Sequence, residues 1–81
     1  MYTVYVLYSE TYDKIYIGYT SDLASRFASH NELSTKGWTK RYRPWKILYT
    51  EAYELKKDAM KRERQMIKAL SVFTLFLSFQ P

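Results

Sequence analysis

Two runs near the start of the chain, YTVYVLY at 2–8 and KIYIGYT at 14–20, are β-branched and aromatic almost throughout and read as strands. The four polar residues between them, Ser9-Glu10-Thr11-Tyr12, suit a hairpin connection. That connection predicts a register in which Tyr8 faces Asp13, Val6 faces Ile15, Tyr5 faces Tyr16 and Val4 faces Ile17. The aliphatic pairs then share one face of the hairpin, while Tyr5 and Tyr16 are neighbours on the other.

Residues 21–32 have a helical pattern, with Thr20 or Ser21 as N-cap and Asp22 in the first turn. Leu23 and Phe27 form its apolar stripe, and Arg26 and His30, one turn apart, lie on the flank of that stripe. The segment STKGWTKRYRPW at 34–45 is broken by Gly37 and Pro44 and reads as a loop, and WKILYTEA at 45–52 reads as a third strand. From about Lys57 to Leu70 the period is helical. Ala59, Met60, Met66, Ile67 and Leu70 fall on one arc, and Lys61, Arg62, Arg64, Gln65 and Lys68 on the other. Glu63 breaks this rule by falling in the middle of the apolar arc. A carboxylate there needs a cation or a hydrogen-bonding partner, because leaving it buried and unpaired is costly.

The last thirteen residues, ALSVFTLFLSFQP, carry no charge. They are too few to span a bilayer, which takes about 20 apolar residues, so no membrane association is expected. The tail reads equally as a last core strand, a helix end or a patch that a partner covers. Eighty-one residues make one small domain, divided here into a folded unit at 1–70 and the apolar tail at 71–81. The absence of cysteine excludes disulfides and thiolate metal sites. The chain opens directly into a strand pattern, with no secretory signal, and is expected to be cytoplasmic. Thirteen Lys and Arg against eight Asp and Glu give a net charge of +5, which suits a phosphate-rich partner. Lys36, Lys40, Arg41 and Arg43 interleave with Trp38, Tyr42 and Trp45, a pattern fit for phosphate contacts and base stacking. An ordinary solvated loop with Trp45 anchored in the core accounts for the same residues.

Taken in order, Thr3-Val4-Tyr5, Tyr16-Ile17-Gly18, Arg26 and His30 on a following helix, and Glu63 on a later one resemble the GIY-YIG nuclease domain. Within that superfamily the chain looks most like small stand-alone proteins related to the nuclease domain of the bacterial excinuclease. The likeness covers about residues 2–68. It implies a small α+β fold, a three-stranded antiparallel sheet flanked by helices. It also implies a divalent cation, Mg²⁺ or Mn²⁺, and endonucleolytic hydrolysis of phosphodiester bonds in DNA, in repair or recombination. By the same likeness Tyr5 and Tyr16 are the motif tyrosines, Arg26 the helix arginine, His30 a position often held by histidine, and Glu63 the metal-binding glutamate.

The residue chemistry agrees with these assignments. A single carboxylate suits Mg²⁺, which keeps several waters and also binds substrate phosphate. A fixed guanidinium stabilises charge that develops on a phosphate. Tyr16 is read as general base and Tyr5 as its orienting partner or a phosphate ligand. An unperturbed tyrosine, with pKa about 10, needs cations nearby to serve as a base. The chain departs from the family pattern in reading TVY at the first motif and in having Tyr19 where some members carry lysine. Its only asparagine is Asn31, and its tail is apolar. A non-catalytic nucleic-acid-binding module of the same fold, or an interaction domain that uses the tail to meet a protein partner, are the rival functions.

Overall fold

The computed structural model describes residues 1–33 and 39–78, with side chains for 1–31, 39 and 41–70. Strand β1 (Tyr2–Ser9) turns into β2 (Lys14–Thr20), and helix α1 (Leu23–Ala28) follows, extended by a π-helical turn at Ser29–Leu33. A short 3₁₀ turn at Thr39–Tyr42 leads to β3 (Lys46–Tyr53) and then to α2 (Lys56–Ser78). The three strands form one antiparallel sheet in the order β2-β1-β3. This is the α+β architecture expected from the sequence.

Strand β1 lies in the middle of the sheet, with both faces covered, so its buried run Val4-Tyr5-Val6-Leu7 is continuous. Tyr5, Leu7 and Trp45 form the core of one face, packed by Tyr16, Leu23, Phe27 and Tyr42. The i, i+4 pair Leu23 and Phe27 therefore points inward as its spacing predicts. Val4 belongs to the other face. It pairs with Glu51 on β3, which binds Arg62 of α2, so α2 crosses that side of the sheet. Ala59 is fully buried there, where a small side chain lets the helix lie close to the strands.

Several expectations need correction. The hairpin pairs Ser9 with Lys14, Val6 with Ile17, Leu7 with Tyr16 and Tyr5 with Gly18, two residues out of the predicted register. The cause is Asp13. It adopts φ 53° and so belongs to the turn, and its carboxylate accepts a hydrogen bond from Tyr8 Oη at 3.0 Å. The N-cap of α1 is Asp22, whose carboxylate accepts from Ser25 N at 3.2 Å; Thr20 Oγ1 instead accepts from Asp22 N. Strand β3 starts and ends one residue later than predicted. Of the readings open for the tail, the helix end is the one found: α2 continues to Ser78, through most of it. Its inward stripe is rotated, leaving Ile67 43% exposed and turning Arg62 toward the sheet. Among the described residues no helix is long and apolar enough to cross a membrane.

The rotation of α2 is fixed by Glu51, which accepts from Arg62 Nε at 2.8 Å and Nη2 at 3.2 Å, from Tyr49 Oη, and from Tyr53 Oη at 2.7 Å. Arg62, Tyr49 and Tyr53, in that order, hold the Glu51 carboxyl down at about 2 from an ordinary 4.5. A carboxyl depressed on folding contributes stability above its ordinary value and loses it as pH falls through the folded one. Solvent and salt weaken the pair, since the Arg62 side chain is 40% exposed. Glu51→Gln should therefore lower the urea midpoint at neutral pH and flatten the loss of stability between about pH 4.5 and 2. Urea titrations across that range check this, and an unchanged pH slope in the variant would count against it.

Candidate active site

Tyr5 faces Gly18 across the β1–β2 ladder, and its phenol lies over the glycine backbone. A Cβ at position 18 would stand 2.7 Å from Tyr5 Oη, 2.8 Å from its Cζ and 3.1 Å from Tyr16 Cε1. The glycine is there for close approach. Tyr16 is the diagonal neighbour on the same face, with ring centroids 6.1 Å apart. The predicted pairing of the two phenols on one face thus holds although the register does not, because a slip of two residues preserves which side chains share a face.

Behind Tyr5 lies His30. Its Nε2 is 3.0 Å from Tyr5 Oη, and its Nδ1 is 3.0 Å from Thr39 Oγ1. The sequence places His30 on the helix flank beside Arg26, but in the structure it is only 8% exposed. The π-helical turn changes the winding after Ala28, so a projection at constant helical pitch fails at this residue. Burial, and secondarily the charge of Arg26, push the His30 imidazole below its usual range and keep it neutral at neutral pH. Burial drives the Tyr5 phenol well above the usual tyrosine range, helped by Tyr16 and opposed by Arg26, so Tyr5 stays protonated.

In front of these groups opens a polar cleft of about 430 Å³. Tyr5, Tyr16 and Gly18 line it from the hairpin, Arg26 from α1, and Lys56 and Glu63 from α2. Burial pushes the Glu63 carboxyl above its usual range, against the pull of Arg64 and of a hydrogen bond with the Tyr19 backbone. Four of the five residues singled out in the sequence, Tyr5, Tyr16, Arg26 and Glu63, meet at this cleft, and His30 supports it from behind. Among the described residues no three His, Asp or Glu side chains form a protein-only metal cage. The donor set instead fits a cation held by one partly desolvated carboxylate, with water and substrate oxygens completing the shell, as Mg²⁺ is commonly held.

The basic loop divides. Lys36, with Trp38, lies outside the described residues, and so does the side chain of Lys40. Arg41 is exposed on the 3₁₀ turn. Arg43 turns inward, its Nε donating to the His30 carbonyl at 2.9 Å. Trp45 is 3% exposed and anchored as core, its Nε1 donating to the Thr39 carbonyl at 2.8 Å.

Sequence reasoning missed Lys56, Thr39 and Asn31. Lys56 was legible: it precedes Glu63 by seven residues, two helical turns, on the same helix face. Asn31 clasps the Trp45 backbone, accepting from its N–H and donating to its carbonyl. No local signal marks that role, or that of Thr39, because both depend on how the intervening segment closes.

The family model described as the GIY-YIG catalytic domain matches residues 1–74. The chain belongs to the GIY-YIG family. A UPF0213 protein of Bacillus velezensis is 37% identical over 51 residues, which cover 63% of this chain and 52% of that protein. A UPF0213 protein of Staphylococcus aureus is 38% identical over 52 residues, covering 64% and 63%. This GIY-YIG chain therefore spans between about half and just under two thirds of the length of these curated relatives. No solved structure matches it.

Gly18→Ala should drive the Tyr5 phenol off its seat and destabilise the fold by about 1–3 kcal/mol, the usual cost of overpacking. Urea unfolding measures this; a variant as stable as the parent would mean that the sheet yields at no cost.

Proposed function

We propose that this GIY-YIG chain is a divalent-metal-dependent endonuclease acting on DNA. The observation that carries the reading is the convergence of Tyr5, Tyr16, Arg26 and Glu63, from four different elements, on one polar cleft. The net charge of +5 favours a polyanionic substrate. Tyr16, part-exposed at the cleft, takes the proton of the attacking water as its phenolate, becoming the phenol, and returns that proton to solvent after the reaction. The water oxygen bonds to phosphorus, the opposite P–O ester bond breaks, and the leaving alkoxide takes a proton from solvent. Tyr5, which keeps its proton, acts as a hydrogen-bond donor rather than a base. Arg26 neutralises the charge that builds on the phosphoryl oxygens. Lys56, exposed at the cleft and with no ion pair to a described residue, holds a neighbouring phosphate of the strand. Glu63 would hold the cation, which when bound supplies Lewis-acid polarisation of the phosphate and stabilises the leaving oxygen.

Glu63→Gln removes the ligand charge and keeps the shape. On labelled duplex, single-stranded and branched DNA, Mg²⁺-dependent cutting by the parent should fall at least about a hundredfold in the variant. Millimolar Mg²⁺ should raise the melting temperature of the parent and leave the variant unchanged. DNA binding without cutting on any substrate would instead favour the non-catalytic module.

Arg41 is exposed on the turn that begins at Thr39, the residue that closes over His30. Arg41→Gln together with Lys40→Gln should weaken DNA binding at every sequence alike and reduce the salt dependence of log Kd by about two. Fluorescence anisotropy in a salt series, without metal, checks this. An unchanged affinity and slope would remove the loop from the interface.

A further inference from the structure

Thr39 is 7% exposed, and its hydroxyl has one side-chain partner among the described residues, His30 Nδ1 at 3.0 Å. A neutral imidazole offers one donor and one acceptor, so the chain of contacts Thr39–His30–Tyr5 has two possible directions. In the first, His30 Nδ1–H donates to Thr39 and Tyr5 donates to Nε2. The hydroxyl proton of Thr39 then has no acceptor among the described residues, and a buried donor left unmet bears its full desolvation cost. In the second, Thr39 donates to Nδ1 and Nε2–H donates to Tyr5 Oη. The proton of Tyr5 then points away from His30, into the cleft that Tyr5 lines together with Tyr16. Only the second direction gives the Thr39 proton an acceptor among the described residues, and it leaves the Tyr5 proton to the open cleft.

We propose that Thr39 is a positioning residue: its buried hydroxyl holds His30 as the Nε2–H tautomer and so turns the Tyr5 proton into the cleft that Tyr16 shares. The surroundings fix Thr39 independently of this bond. Its carbonyl accepts from Trp45 Nε1, the Trp45 backbone is clasped by Asn31, and Arg43 ties the same segment to the His30 carbonyl. Removing the hydroxyl alone therefore interrogates the relay rather than the loop. Tyr5 then offers the cleft a hydrogen-bond donor on the side where Tyr16 stands. This catalytic consequence rests on the nuclease reading; the tautomer does not.

His30 is the only histidine in the chain, so long-range ¹H–¹⁵N spectra of the full protein report its ring without ambiguity. The parent should show Nε2–H and an unprotonated Nδ1. Thr39→Val, close in shape and lacking the donor, should lose this single tautomer, and Thr39→Ser should restore it. On cleavable DNA, Thr39→Val should lower kcat roughly tenfold with KM unchanged, and Thr39→Ser should recover it. A parent spectrum showing Nδ1–H, or one that Thr39→Val leaves unaltered, overturns the proposal. The parent spectrum decides the tautomer even where Thr39→Val does not fold. Absence of cutting by the parent overturns the nuclease reading and leaves the tautomer to be judged by the spectra.

Discussion

The phenol of Tyr5, buried in the middle of the central strand, sets conditions that the rest of the site meets. It is 2% exposed, so its hydroxyl must find partners within the protein. Room for the ring exists only because the residue opposite is Gly18. The hydroxyl reaches His30, which requires the helical segment after β2 to carry an imidazole under the sheet. The imidazole in turn needs a partner at Nδ1, which brings the chain back through Thr39 before β3 can start. Trp45, the last residue before β3, fills the same core and is held by Asn31, the neighbour of His30 in sequence. One buried hydroxyl thus constrains the hairpin, the first helix and the segment that closes over it.

This dependence explains which parts of the molecule are legible in the sequence. Strands β1 and β2 announce themselves through β-branched and aromatic residues, and side-chain alternation alone places Tyr5 and Tyr16 on a common face. The register is not legible, because the chain reverses through Asp13, and nothing in its immediate sequence says that it takes a positive φ rather than the first strand position. Facial alternation survives an error of two residues, so the functional pairing is readable where the register is not. His30 is the opposite case. Its spacing from Arg26 is a local signal of helix geometry, but a π-helical turn changes that geometry, and its burial follows from contacts with residues 25 positions before and nine after. Long-range contacts of this kind leave no periodic trace in the sequence.

Glu63 is conspicuous because a helical wheel puts it among apolar residues, and the structure gives this oddity a physical form. Arg62 and Glu63, adjacent on α2, are turned about 100° apart around the helix axis. Arg62 reaches Glu51 on β3, while Glu63 lines the cleft beside Tyr19 of β2, so one turn of helix faces both edge strands of the sheet. The two carboxylates differ in kind. Glu51 is surrounded by four donor groups and is held far below its ordinary range, as expected of a carboxylate whose place in the structure favours its charge. Glu63 has lost water without gaining equivalent compensation, and its carboxyl is raised instead.

A residue that only anchored the helix would resemble Glu51. A carboxylate at the wall of a polar cleft, on the side with two phenols and a guanidinium, has the placement that the proposed metal-ligand role asks for. The Glu51–Arg62 network makes that arrangement tenable. It fixes the rotation of α2 from the far edge of the sheet, so the unfavourable placement of Glu63 does not depend on Glu63 itself being stabilised. Strain at functional groups persists where the surrounding structure over-determines it. Here the over-determination is concrete: an ion pair on one side of the helix helps set its rotation, and the carboxylate one residue later lines the cleft.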